Sequence, residues 1–215
     1  MRWRALFPIA AAVGFAPLAA AHACDLYVQY TFHQMQRGVG FGAGLQFQPG
    51  TPSGVIVSGD LPIGLGNRAV VKPALGYCRI GADGPGGQSS SHAVFGSALG
   101  LRLWNNAAGT VAINGQTGVS YVSYGQSESD LTVPVFLAAE FKASERAAVF
   151  AGAGAQVSRF SFDGDSESDA DPLAFGGVTL TLQKVALVGS IGLKKGETDT
   201  DVAVNFGLRI PVRRP

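Results

Sequence analysis

The sequence predicts an all-β protein, a closed antiparallel up-and-down transmembrane β-barrel, and three observations carry that prediction. Apolar residues recur at every second position from residue 38 onward. The positions between them are mostly small or weakly polar rather than charged. The connections alternate long and short. Composition agrees: hydrophobic residues make up 47% of the chain and charged ones only 14%, where a soluble domain carries about 25% charge. Yet no apolar run beyond residue 23 approaches the roughly 18 residues of a membrane helix. Strands that present apolar side chains to lipid at alternate positions reconcile these facts.

Taken in order, the chain opens with Arg2 and Arg4, an apolar stretch over 5–21, and Ala21-His22-Ala23. That succession is a secretory signal, expected to be cleaved after Ala23. A membrane helix is the competing reading, but Pro8 and Pro17 interrupt the run. Residues 24–37 are left unassigned: Leu26, Val28, Tyr30 and Phe32 alternate, and an extra strand, an inserted plug and a periplasmic tail all fit. The barrel is expected over 38–212 with ten strands, eight being the alternative count.

The first run sets Val39, Phe41, Ala43, Leu45 and Phe47 against Gly38, Gly40, Gly42, Gly44 and Gln46. Val55, Val57, Leu61 and Ile63 follow, then Val71, Pro73, Leu75 and Tyr77, then Phe95, Leu99, Leu101 and Leu103. Val111, Ile113, Val119 and Tyr121 oppose Asn114, Gln116 and Ser120. In the second half, Leu131, Val133, Val135, Leu137, Ala139 and Phe141 alternate with Thr132, Pro134, Ala138 and Glu140. Val149, Ala151, Ala153, Ala155 and Val157 face away from Gly152, Gly154, Gln156 and Ser158. Runs around Val178–Leu182, Leu187–Leu193 and Val202–Val212 complete the ten. Small opposite faces suit the crowded bore of a narrow barrel, and charges are costly on a lipid-facing wall. Pro62, Pro73 and Pro134 each remove a ladder donor, which bulges or strand ends are expected to absorb.

The connections are expected near 48–54, 64–67, 81–92, 105–109, 125–130, 143–146, 163–172, 183–185 and 195–200. Short turns belong on the periplasmic side and long loops outside, which places both ends of the barrel in the periplasm. Cys24 and Cys78 are a disulfide candidate in an exported chain; a lipid thioether on Cys24 is the alternative. The bond demands that Cys24 reach the loop end of the third strand. Either the leading segment crosses the barrel, or the bond or the strand assignment fails.

The ten runs, the loop alternation and the closing segment 201–212 resemble the small bacterial outer-membrane β-barrel proteins, the opacity-protein-like and OmpA/OmpX-like barrels. The resemblance covers residues 38–212 and brings no catalytic motif. It implies a location and an architecture, with roles in the family running from anchoring and adhesion to narrow pores and lipid enzymes.

By parity, Asp60, Lys72, Arg102, Glu140 and Arg209 point inward on five strands, a candidate charge network filling the lumen. Asp163, Asp165, Glu167, Asp169 and Asp171 supply a weak calcium candidate, because oxygen ligands on a loop suit a hard cation; a solvated loop is the plainer reading. Ser89-Ser90-Ser91-His92 offers a hydroxyl and an imidazole, but adjacency along a chain is not triad geometry. The other histidine beyond residue 23, His33, stands alone. Glycines of Gly38-Val-Gly-Phe-Gly-Ala-Gly44 repeat at period two, as on a strand rather than in a phosphate loop. With 16 basic and 15 acidic residues, no basic stripe points to nucleic acid. The expected role is therefore structural or surface-interactive, as a monomer in outer-membrane lipid, delivered by the barrel-assembly machinery, without cofactor or catalytic activity. The extracellular partner stays unidentified. The alternative is an exported soluble barrel or sandwich that turns its apolar faces inward around a small apolar ligand. A lipid-modifying enzyme and a narrow pore are further readings.

Overall fold

The computed structural model describes Cys24 and residues 38–49, 53–81, 89–125, 128–183, 185–195 and 200–211. The signal segment and residues 25–37 lie outside them. Eleven strands follow one another: β1 (Gly38–Gln48), β2 (Gly54–Asp60), β3 (Ile63–Leu65), β4 (Ala69–Ile80), β5 (Ser90–Asn105), β6 (Val111–Ser123), β7 (Glu128–Lys142), β8 (Ala147–Phe162), β9 (Asp165–Leu182), β10 (Val185–Lys195) and β11 (Thr200–Pro211). Consecutive strands pair antiparallel except β2 and β3, each of which pairs with both β1 and β4, and β1 pairs with β11, so the sheet closes.

β2 and β3 are one stave. Both lie between β1 and β4, and the register continues unchanged across Leu61 and Pro62. The break arises because Pro62 has no N–H to give, while its carbonyl still accepts from Gly40. The barrel thus has ten staves, and no bulge was needed to absorb Pro62. At Pro134, too, the β6–β7 ladder skips two steps while β7–β8 runs through. The one register shift in the ladders falls between Arg102 and Trp104, and it turns Leu103 and Trp104 outward together.

Following cross-strand partners from Gly44 one way leads through Ser58, Gly76, Val94, Val122 and Asp130 to Phe160. The other way leads through Gly207, Val188 and Thr179 to Ala148. The two arrivals on β8 differ by 160 − 148 = 12 residues, which is the stagger of the closed sheet. Ten staves with that stagger tilt by about 40° around a wall of roughly 10 Å radius.

The apolar faces point outward. Phe41, Val57, Leu75, Tyr77, Phe95, Leu103, Val135, Leu137, Phe141, Val149, Leu182, Ile191, Phe206 and Ile210 are all exposed. This overturns the soluble alternative, which required those faces to meet at a centre. The height from Phe95 to Trp104 along a stave tilted by about 40° is roughly 23 Å, close to the 25 Å apolar band of an outer-membrane barrel.

The interior departs from expectation in one respect. Alongside Gln46, Asn114, Gln116, Ser120, Thr132, Gln156, Ser158 and Asn205, it buries an apolar cluster of Val70, Phe136, Ala138, Phe150, Leu173, Phe175, Val188 and Ala203. Three phenylalanines fit because glycines lie under two of them. Phe150 pairs with Gly177 and Phe175 with Gly152 across the β8–β9 ladder, and a Cβ on either glycine would collide with the facing ring. Phe175 meets Phe136 edge-on with centroids 4.8 Å apart.

The connection expected over 163–172 is not a loop. β8, paired with β7 as far as Phe162, turns directly into β9 at Asp163-Gly164, both with positive φ (47° and 92°), as a two-residue hairpin turn requires. Pairing of β9 with β10 begins only at Leu173, so the hairpin rises above the rim.

Candidate functional site

The lumen and the loop-end rim carry the polar groups that the fold organises. Toward the short-turn end, Arg102, Thr110, Glu140 and Lys142 line an open cavity of about 140 Å³, and Asn114 Nδ2 donates to Glu140 Oε2 at 3.4 Å. At mid-height Arg209 Nη2 stands 3.6 Å from Asp60 Oδ2, with both side chains nearly inaccessible. Asp60 fits there because Gly42 sits opposite: a Cβ at Gly42 would strike its carboxylate. Lys72, 0% exposed, donates from Nζ to Gln116 Oε1 at 3.5 Å. The five residues read from parity all face the lumen. Asp60 and Arg209 come together, Lys72 and Glu140 each engage a buried amide, and Arg102 and Glu140 share the lower cavity.

A third level escaped the sequence. Lys194, buried on β10, lies 3.7 Å from Asp171 Oδ2 and 3.8 Å from Asp201 Oδ2. Its parity with Ser190 and Gly192 was the available signal; the assignment of Asp171 to a loop concealed the pair. Water exclusion makes such contacts stronger than at a surface, and it makes the loss of one partner costly.

The acids at 163–171 do not converge. Asp163 occupies the turn, while Asp165, Glu167, Asp169 and Asp171 follow one face of β9, about 6.7 Å apart at strand spacing. Asp171 is committed to Lys194. Among the described residues no three His, Cys, Asp or Glu stand together as a metal site would require.

At the loop end of the lumen, Cys24 and Cys78 are bonded, with Cα atoms 5.6 Å apart. Ile56, Ile80, Val94, Ala98 and Val122 pack around them. The same sulfur cannot also carry a lipid thioether. Cys78 lies near the top of β4, whereas Gly38 pairs low in the wall with Gly64. Cys24 is thus held at the loop end while Gly38 sits toward the turn end, so the bond and the strand assignment stand together. Nearby, His92 meets Tyr124 edge-on at 4.9 Å, and its Nδ1 donates to the Ser123 carbonyl at 3.2 Å. Ser89 accepts from Arg79 instead, and among the described residues none of the three serines is bonded to His92.

No protein-family model matches the chain, and no curated relative matches it. Solved structures that resemble it include the attachment invasion locus protein Ail of Yersinia pestis, 14% identical over 81% of this chain and 100% of that one, with a TM-score of 0.40. LpxR from Salmonella typhimurium is 12% identical over 80% and 88%, TM-score 0.48. Neisserial surface protein A is 11% identical over 81% and 97%, TM-score 0.42. At these identities the likeness is at most one of fold; the closed antiparallel barrel of ten staves with its apolar faces outward stands on the register and burial described above.

Proposed function

We propose that this barrel spans the bacterial outer membrane as a monomer and acts as a structural and surface-interaction protein through its loop end. One observation supports this above the others. Between the two rims, the outward face of every described strand is apolar or small, while nearly all strand-borne charges lie on the inner parity. Such a wall is unfavourable against water and favourable against acyl chains. Its immediate partner is then membrane lipid, met after delivery by the barrel-assembly machinery. The lumen, filled at mid-height by Phe136, Phe150 and Phe175 and by the Asp60–Arg209 contact, suits a closed bore better than a conducting one. The β8–β9 hairpin, standing above the rim with its row of acids, is the element best placed to meet a partner outside. No reaction is assigned to the chain.

The test is fractionation. The full chain is expected with the outer-membrane fraction, running faster on gels when unheated than when boiled. Recovery in a detergent-free periplasmic extract overturns the proposal.

A further inference from the structure

Sorted by face, the charges of the strands divide unequally. Only Arg79, Arg159 and Lys195 point outward from the described strands, and all three are exposed. All are basic, and each lies within three residues of the loop end of its strand. The acids of that same end, Glu128, Asp130, Asp165, Glu167, Asp169, Asp171 and Asp201, take the inner parity.

The three cations share a level. With a tilt of about 40°, each residue climbs roughly 2.5 Å and each step to the next stave roughly 3 Å, so their Cα atoms fall within about 4 Å of one height. They stand on β4, β8 and β10, spaced around the wall rather than gathered at one point. At a lower level, on the arc of β4, β5 and β6, lie the outward rings of Tyr77, Phe95 and Tyr121, residue types that favour the boundary between acyl chains and headgroups.

Arg79 Nη2 donates to Ser89 Oγ at 3.4 Å, and Arg159 Nη2 donates to Ser166 Oγ at 3.1 Å. A neutral hydroxyl aims a guanidinium without cancelling its charge, and no described carboxylate pairs with any of the three. An exterior facing water would mix both signs. Three like charges at one height, separated around a cylinder, cannot all touch one peptide or one small molecule. They can all touch a surface.

We infer that Arg79, Arg159 and Lys195 form a cationic collar that binds the phosphate groups of outer-leaflet lipid headgroups. The inference rests on the reading that the barrel spans the outer membrane. A guanidinium presents paired N–H donors to phosphate oxygens and Lys195 a point charge, while the aromatic rings below hold the collar at headgroup depth.

The test folds the full chain into phosphatidylcholine vesicles doped with bisphosphorylated lipid A and measures, by native mass spectrometry after detergent extraction, the lipid A that stays bound. The wild-type chain is expected to retain lipid A over phosphatidylcholine, and to lose that preference for dephosphorylated lipid A. Each neutralised cation is expected to lower retention about fivefold, so R79Q/R159Q/K195Q loses nearly all of it. R79K/R159K, which keeps the charge, retains most, and heat-modifiable mobility shows that each variant has folded. Equal retention by the wild-type and the triple variant overturns the collar alone. Failure of the wild-type chain to enter vesicles of either composition overturns the membrane reading, and the collar with it.

Discussion

Leu137→Arg puts the greasy exterior to a quantitative test. Leu137 points outward from β7 with 57% of its surface accessible. By the stave geometry it lies within roughly 2 Å of the height midway between Phe95 and Trp104. At a bilayer midplane an arginine there costs about 2–4 kcal/mol, a factor of roughly 30 to 700 in the folding equilibrium. On a wall facing water the same change stays within about 0.5 kcal/mol. Val157→Arg is the control. Val157 also points outward, at 47% accessible, but it lies four residues further along β8 than Ala153, the partner of Leu137. That raises it about 13 Å toward the loop end, where the expected cost falls to about 0–1 kcal/mol. Urea titration of the chain folded in phosphatidylcholine vesicles, followed by the fluorescence of Trp104, measures both. Equal, small costs at the two sites refute the lipid-facing wall.

Gly154→Ala brings a Cβ against the Val135 carbonyl and the Phe136 backbone and is expected to destabilise by about 1–3 kcal/mol; Gly189→Ala, with open space around it, is expected to be tolerated in the same titration. Asp60→Asn removes the carboxylate that faces Arg209 in the lumen, at a cost of up to about 3–5 kcal/mol, and a double-mutant cycle with Arg209→Gln is expected to return a favourable coupling; additive costs contradict a direct contact. Cys78→Ser opens the Cys24–Cys78 crosslink and is expected to lower stability by about 2–4 kcal/mol. Thiol labelling of the wild-type chain is expected only after reduction.

The wall was legible because lipid-facing and lumen-facing positions draw on different side chains, and period two separates them without any three-dimensional information. Phe136, Phe150 and Phe175 were not legible by that rule, since a phenylalanine on the inner parity looks like an outer one out of phase. The signal lay across the ladder, in Gly152 and Gly177, and it appears only once β8 and β9 are in register. The β8–β9 hairpin was hidden by composition: serines and acids read as solvated loop. Two cues pointed the other way, an Asp163-Gly164 pair suited to a tight hairpin turn and acids at every second residue, which is strand periodicity. Of the charged residues, inward parity followed from the alternation. Which of them touch depends on the stagger of the closed sheet, and that is a property of the whole circuit of strands.

The bond between residues 24 and 78 has a topological consequence. It closes a covalent ring that contains all of β1, β2 and β3 and most of β4. β1 is also the strand that pairs with β11 to seal the cylinder. One lip of that seam therefore belongs to a covalent ring whose clasp sits in the bore, against the stave two places along the wall.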